Sequence, residues 1–398
     1  MSVATIRNEE RFRLGMLWTD SRYRSYTIQT IAVIVVMLFG TFLINNVIEN
    51  LAAMGKTFDF SFLFNKAGYR INQSLIDYST QSPHWKAALV GILNTLLVAF
   101  LGCIAATIIG VVAGVLRLSK NWVISKLMTV YIEGVRNVPV LLQIYLWYAV
   151  FIELLPSPKQ AEPMFGGYFV ATNRAFYFPS LTMENGAGVV LAVLAASIVG
   201  IFFFRRWEKA RQEATGQALP VLWICLGILV VPATLAFFAM GSPFGVDVPE
   251  LKGFNYKGGI QAYNSLIALW LALSMYTGAF IAEIVRAGIQ AISKGQSEAA
   301  HALGLRPGRT MRLVILPQAL RIIIPPMISN YLNLTKNSSL AIAVGYMDVT
   351  GTLGGITLNQ TGREMEAMLL LMAFYLVVSL LISFVMNMYN ETVKLRER

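Results

Sequence analysis

Eight stretches of this chain are apolar for eighteen residues or more: Thr27 to Ile48, Ala87 to Leu116, Lys126 to Leu155, Ala187 to Phe204, Leu219 to Met240, Asn264 to Ala282, Ile322 to Met347 and Ala367 to Asn390. A bilayer-crossing helix needs about 20 such residues, so the pattern predicts about eight transmembrane helices and an all-α integral membrane protein. Trp85 and Trp122 flank the second stretch where interfacial anchors belong. Five arginines, at 7, 11, 13, 22 and 24, precede the first stretch. That charged region and the apolar run after it are both longer than in a cleaved signal peptide, so the first helix is expected to be retained.

Two stretches carry charge. The third holds Glu133, Arg136 and Pro139, and the seventh is interrupted by Lys336-Asn337-Ser338-Ser339. Glu133 and Arg136 are three apart and share a helix face. On a straight helix Arg136 would lie roughly 15 Å beyond Lys126, near the bilayer middle. A charge there is usually paired or functional, and both readings stand. Pro139 can kink the helix and free carbonyls beside a pathway. Glu283 and Arg286 repeat the spacing nearer a helix end, as an interfacial pair. For Lys336, snorkelling to an interface competes with a functional role. Gly351 to Gln360 reads as a glycine-rich loop and lacks the Lys-Ser/Thr of a phosphate-binding loop.

Composition fits this pattern: the chain is 56% hydrophobic and 13% charged. Its net charge of +11 raises the possibility of nucleic acid, which the distribution answers. With the N-terminus in the cytoplasm, the cytoplasmic segments hold five, three, four, six and three Lys or Arg residues, 21 altogether. The opposite side holds nine, and Arg136 and Lys336 lie within spans. This bias predicts eight spans with both termini cytoplasmic, and no nucleic-acid partner. The two cysteines lie in apolar runs and only two histidines occur, which leaves no metal-site pattern. No Gly-x4-Gly-Lys-Ser/Thr motif is present, so the chain is not expected to hydrolyse ATP, and no catalytic set suggests another reaction.

The polar, basic segment 295–317 separates the sixth and seventh spans. Ser297 is placed to cap a helix, Glu298 suits its first turn, Ala299, Ala300, Ala302 and Leu303 give it an apolar face, and Gly304 suits a left-handed terminus. About two turns of helix are marginal alone, so this one is expected to dock on a partner, with Glu298 and His301 as polar contacts.

Glu298-Ala299-Ala300, Gly304 and Leu316-Pro317 resemble the EAA loop of ABC-importer permeases. The flanks Thr277-Gly-Ala-Phe-Ile-Ala-Glu283-Ile-Val-Arg286 and Pro317-Gln-Ala-Leu-Arg321 are similar to the polar amino-acid permeases, as are Gly91, Thr95, Gly110 and Gly114 in the second span and Tyr131 to Gln143 in the third. Those glycines also suit close helix packing. Lys336-Asn337-Ser338-Ser339 matches the family's Lys-Asp-Thr-Ser with Asn337 in place of the acid and Ser338 in place of the threonine.

The resemblance implies a permease subunit of an amino-acid ABC importer in a bacterial inner membrane. It implies a five-helix type I core with one added N-terminal and two inserted helices. The corresponding division is 1–88 (N-terminal segment, first helix and periplasmic loop), 89–155 (first part of the core), 156–260 (insertion), 261–390 (second part of the core) and 391–398 (tail). Implied partners are a second, non-identical permease, two copies of a cytoplasmic ATPase that bind ATP and magnesium, a periplasmic amino-acid-binding protein and membrane lipid; this chain itself holds no cofactor. Gly295, Gln296, Glu298, Ala299, Ala300, His301 and Gly304 would couple to the ATPase. Arg136, Asn137, Gln143, Tyr276, Thr277, Lys336, Asn337 and Ser338 would line the substrate pathway, with Arg136 or Lys336 taking a carboxylate. A permease for another small solute such as an opine, and a half without its own substrate site, are the alternatives.

Overall fold

The computed structural model describes residues 15–55, 58–217 and 219–393. The arginines at 7, 11 and 13 and the tail from 394 lie outside the described residues. Among these residues, seven helices are long and apolar enough to span a membrane, and a bent pair makes eight if it crosses as one span. We label the helices α1 (Ser21–Ala53), α2 (His84–Arg117), α3 (Trp122–Asn137), α4 (Val140–Leu154), α5 (Ala187–Thr215), α6 (Val221–Ala239), α7 (Asn264–Gln290), α8 (Lys294–Ala302), α9 (Leu316–Asn337) and α10 (Glu364–Val393).

The core forms around α7, whose most apolar window is 61% buried, whereas those of α1 and α6 are wholly unburied by protein. The difference lies in side-chain size. Ala268, Ala272, Ser274, Gly278, Ala279 and Ala282 give α7 a shallow surface, and α2 answers with Gly102, Ala106, Gly110, Ala113 and Gly114, all of them buried. In a membrane, where lipid already solvates apolar groups, such close backbone approach is what drives helices together. Helices α1 and α6 instead present large apolar side chains on every side, as lipid-facing helices do.

Gly110 tests this packing. A Cβ there would stand 2.5 Å from the Ile281 Cβ and 2.9 Å from the Gly278 carbonyl oxygen, while one at Gly134 would meet nothing within 4 Å. Gly110→Ala is therefore expected to cost about 1–3 kcal/mol by overpacking. Gly134→Ala should be neutral or slightly stabilising. Thermal denaturation of the purified protein in detergent checks the contrast, and equal midpoints would refute it.

The third apolar stretch bends at Pro139, the residue expected from sequence to kink it, and the bend is sharp. Its halves α3 and α4 meet at 106°. Val138 is extended (φ −99°, ψ 128°) and Pro139 cannot donate to the preceding turn. The break falls two residues after Arg136, so depth cannot be counted along one axis. The supposed loop at Gly351 to Gln360 is also helical: a π-helical segment, Thr350–Thr357, runs into a short α-helical turn, Leu358–Thr361. It packs where α2 lacks a side chain, since a Cβ on Gly91 would lie 2.1 Å from the Thr352 hydroxyl oxygen. The Thr95 hydroxyl accepts from Val349 N (3.1 Å), and Asp348 Oδ1 accepts from Gly351 N (2.8 Å).

The spans are all-α, but the segments around α5 and α6 add short antiparallel strands: β1 (Val170–Ala171), β2 (Ala175–Phe178), β3 (Ser180–Met183), β4 (Phe244–Asp247), β5 (Glu250–Lys252), β6 (Asn255–Lys257) and β7 (Ile260–Tyr263). They pair as β1-β2-β7, β3-β4 and β5-β6. Strands of two to four residues carry too little alternation to be read from sequence.

Candidate functional site

The helix of the polar segment forms as α8, Lys294–Ala302, with one correction. Ser293, extended at φ −60° and ψ 141°, is its N-cap, and Ser297 lies inside the helix. Gly304 adopts φ +75°. Its amide donates to the His301 carbonyl (2.9 Å), and the Leu305 amide to that of Ala300 (3.1 Å), which closes the helix in the way a left-handed glycine allows. Ala300 is buried against the chain. Gly295, Gln296, Glu298, Ala299, His301, Ala302 and Leu303 are exposed, Leu303 at 82%. Among the described residues Glu298 and His301 make no ion pair with the chain, and Gln296 meets only Gln318 (3.4 Å).

The charged residues nearby are arranged differently from the expected pairs. Glu133 does not pair with Arg136. It accepts from Arg117 (3.2 Å), whose other terminal nitrogen lies 2.6 Å from Glu283. Glu283 also binds Arg286, through Nε (3.0 Å) and a second short contact. The expected Glu283–Arg286 pair thus exists inside a four-residue network that joins the end of α2 to α3 and α7. Arg117 went unassigned in sequence because the i,i+3 spacing supplied a nearer partner for Glu133. Glu283→Ala would leave Arg286 without a carboxylate and Arg117 with only half-exposed Glu133. We expect about 2 kcal/mol of destabilisation, less than for a fully buried pair because these groups are about a quarter exposed. Chemical or thermal denaturation in detergent measures it, and an unchanged midpoint would show the network to be idle.

Released from Glu133, Arg136 lies over the Phe280 ring, 5.0 Å from its centroid. Its Nε is buried with no hydrogen-bond partner. Tyr276, one turn before Phe280, packs against that ring at 5.0 Å between centroids. Arg136, Tyr276 and Phe280 therefore form one cation–aromatic group at the α3–α4 break. Phe280 is an addition to the sequence reading, and its i,i+4 spacing from Tyr276 was the available signal.

The other pathway candidates divide. Gln143 is buried and donates to the Val135 and Val138 carbonyls (2.8 and 2.9 Å), which satisfies the acceptors freed by the break. Asn137 is exposed and donates back to Glu133 O (2.7 Å). Ser338 is buried with its hydroxyl on Thr335 O (2.7 Å), Thr277 is buried in α7, Asn337 is half-buried and Lys336 is exposed. Ser338, Gln143 and Asn137 thus spend their donors on the backbone, whereas Arg136 keeps one.

Comparison with known proteins matches this arrangement to transporters. Over its full length the chain is 50% identical to the glutamate/glutamine/aspartate/asparagine transport system permease protein BztB of Rhodobacter capsulatus, with all of both chains covered. The chain belongs to the amino-acid ABC importer permeases. It is 45% identical to the general L-amino acid transport system permease protein AapQ of Rhizobium johnstonii (97% of this chain, 96% of that one). It is also 45% identical to the putative amino-acid ABC transporter permease protein YhdX of Escherichia coli (96% and 98%). Residues 214–395 match the family model for the binding-protein-dependent transport system inner membrane component. As a permease of this family the chain is a multi-pass membrane subunit with the type I permease fold.

Proposed function

We propose that this permease forms half of the translocation pathway of an ATP-driven importer for acidic amino acids and their amides. Its partners would be a second, non-identical permease, two cytoplasmic ATPases holding ATP and magnesium, and a periplasmic binding protein. Both termini would face the cytoplasm, as the positive-charge bias favours. The observation that carries coupling is α8: a nine-residue helix closed by Gly304, with Leu303 beyond its end at 82% exposure and Glu298 unengaged. An exposed leucine beside a free carboxylate on a polar surface has the character of an interface anchor with its polar rim.

Force from the ATPases would enter at α8 and reach α7 through the three residues, 291–293, that join them. The Arg117–Glu133–Glu283–Arg286 network would carry it to α2 and α3 as a unit. The bend between α3 and α4, capped by Gln143, would let α3 move relative to α4, with Arg136 at the hinge exposing its free N–H to a substrate carboxylate in alternation. The preference for acidic substrates and amides rests on the kinship to BztB. Co-purification from native membranes in mild detergent tests the assembly: recovery of an ATPase and a second permease is expected. Recovery of this chain alone, active in liposomes without ATP, would replace the reading with a channel or secondary carrier.

A further inference from the structure

A polar cavity lies away from the α3–α4 break, where the strands of the insertion meet the start of α7. Its volume is about 440 Å³, inside the roughly 300–1,000 Å³ usual for small-ligand pockets. Its wall comes from six separate parts of the chain, among them Asn72 before α2, Tyr148 on α4, Asn173 and Arg174 between β1 and β2, and Asn264 and Ser265 opening α7. Arg174 is the one charged side chain among its lining residues, and no carboxylate faces it.

Two acceptors in this wall are unspent. Asn264 is 2% exposed, and its Nδ2 donates to Thr172 O (3.1 Å), which leaves Oδ1 buried without a donor. The Asn173 Oδ1 is likewise buried and unpartnered. A buried amide oxygen without a donor costs free energy, which a ligand that supplies the donor returns. Arg174 has one long contact, Nη1 to Phe254 O at 3.3 Å, and is otherwise available to a carboxylate. The first turn of the 27-residue α7 adds positive potential from its helix dipole at Ser265.

We propose that this cavity is a second binding site for a free α-amino acid, outside the transmembrane pathway: Arg174 and the start of α7 take the α-carboxylate, and the amide oxygens of Asn173 and Asn264 take the α-ammonium. With only positive charge in the wall, anionic and neutral amino acids are favoured over cationic ones. The proposal rests on the orientation given above, which puts this end of α7 outside the cytoplasm, where the site would hold substrate between delivery and translocation.

The probe is radiolabelled L-glutamate, bound at equilibrium to the intact complex in nanodiscs without its binding protein. Arg136→Ala serves as the background in which the hinge site is silenced. We expect glutamate binding to persist in that background and to weaken at least tenfold on adding Arg174→Gln, a change at an exposed residue that leaves folding intact. Asn173→Leu should weaken it in the same direction. Glutarate, which lacks the α-ammonium, and 4-aminobutyrate, which lacks the α-carboxylate, should each compete at least tenfold less well than glutamate. Loss of all binding with Arg136→Ala alone, binding indifferent to Arg174→Gln, or equal competition by glutarate would each overturn the cavity site. A complex that still contains its ATPase and transports normally would leave the importer reading standing while this proposal fell.

Discussion

Reversing the charge of one exposed side chain, Glu298→Lys, is expected to strip the ATPase from the purified complex and abolish transport. The membrane part should keep its thermal midpoint. Glu298 makes no ion pair among the described residues, so the chain's own fold gives it nothing to lose. Any large effect must therefore pass through a partner. Breaking one buried interfacial charge contact costs about 2–5 kcal/mol, a loss of roughly 30- to 5,000-fold in affinity. Gly304→Asp should act in the same direction by another route. The backbone there holds φ +75°, which costs a side-chain-bearing residue roughly 1–2 kcal/mol. The strain would shift the end of α8 and displace Leu303 from its seat. ATPase retention on affinity-purified complex and ATP-driven uptake in proteoliposomes are the readouts. Both variants retaining the ATPase and transporting normally would remove α8 from coupling.

The second large effect is expected from Arg136→Ala, which should lower substrate-stimulated ATPase activity and uptake by about 10- to 150-fold at low substrate, the range for one charged hydrogen bond of about 1.5–3 kcal/mol. The structure sharpens this expectation. Had Arg136 been half of a buried ion pair, its loss would orphan a carboxylate and unfold the protein. Glu133 is instead held by Arg117, and Glu283 by Arg117 and Arg286. The variant loses only the contact with Phe280, so it should fold. Arg136→Lys, which keeps the charge but not the planar fork, should fall between the two. Wild-type uptake in Arg136→Ala would assign substrate binding elsewhere.

These two sites differ in how they could be read from sequence, and for different reasons. The helix α8 was legible almost to the residue because its signals are local: alanines, a carboxylate and a glycine within ten positions. Only the cap was misplaced, because Ser293 and Ser297 are both plausible caps and the choice depends on where α7 ends. The apolar spans were legible because the bilayer imposes one long, uniform requirement on each. What escaped was non-local. Glu133 chose Arg117, sixteen residues away, over Arg136, three away, because the end of α2 returns beside α3. The segment after Met347 read as a loop because its glycines look like breakers in isolation. It is helical instead, and the bare face of Gly91 is what lets its Asp348, Val349 and Thr352 approach α2, while Gly354 leaves room for Leu371. The cavity at the start of α7 draws on six distant segments, and no window of sequence contains it.

The strand pairing at the base of the insertion has a historical consequence. Phe178 and Ile260 sit opposite each other in antiparallel register, as the last and first residues of β2 and β7. The chain therefore leaves for the two extra crossings and comes back from them at the open end of a four-rung ladder. The stretch between Phe178 and Ile260 carries two membrane crossings, and Asn255 and Tyr256 return beside that neck, where Tyr177 donates to Asn255 and Tyr256 to the Ala161 carbonyl. Because two crossings return the chain to the side it left, a lineage could acquire or shed the whole appendage in one genetic event without inverting any core helix, with a tight turn left where the neck had been.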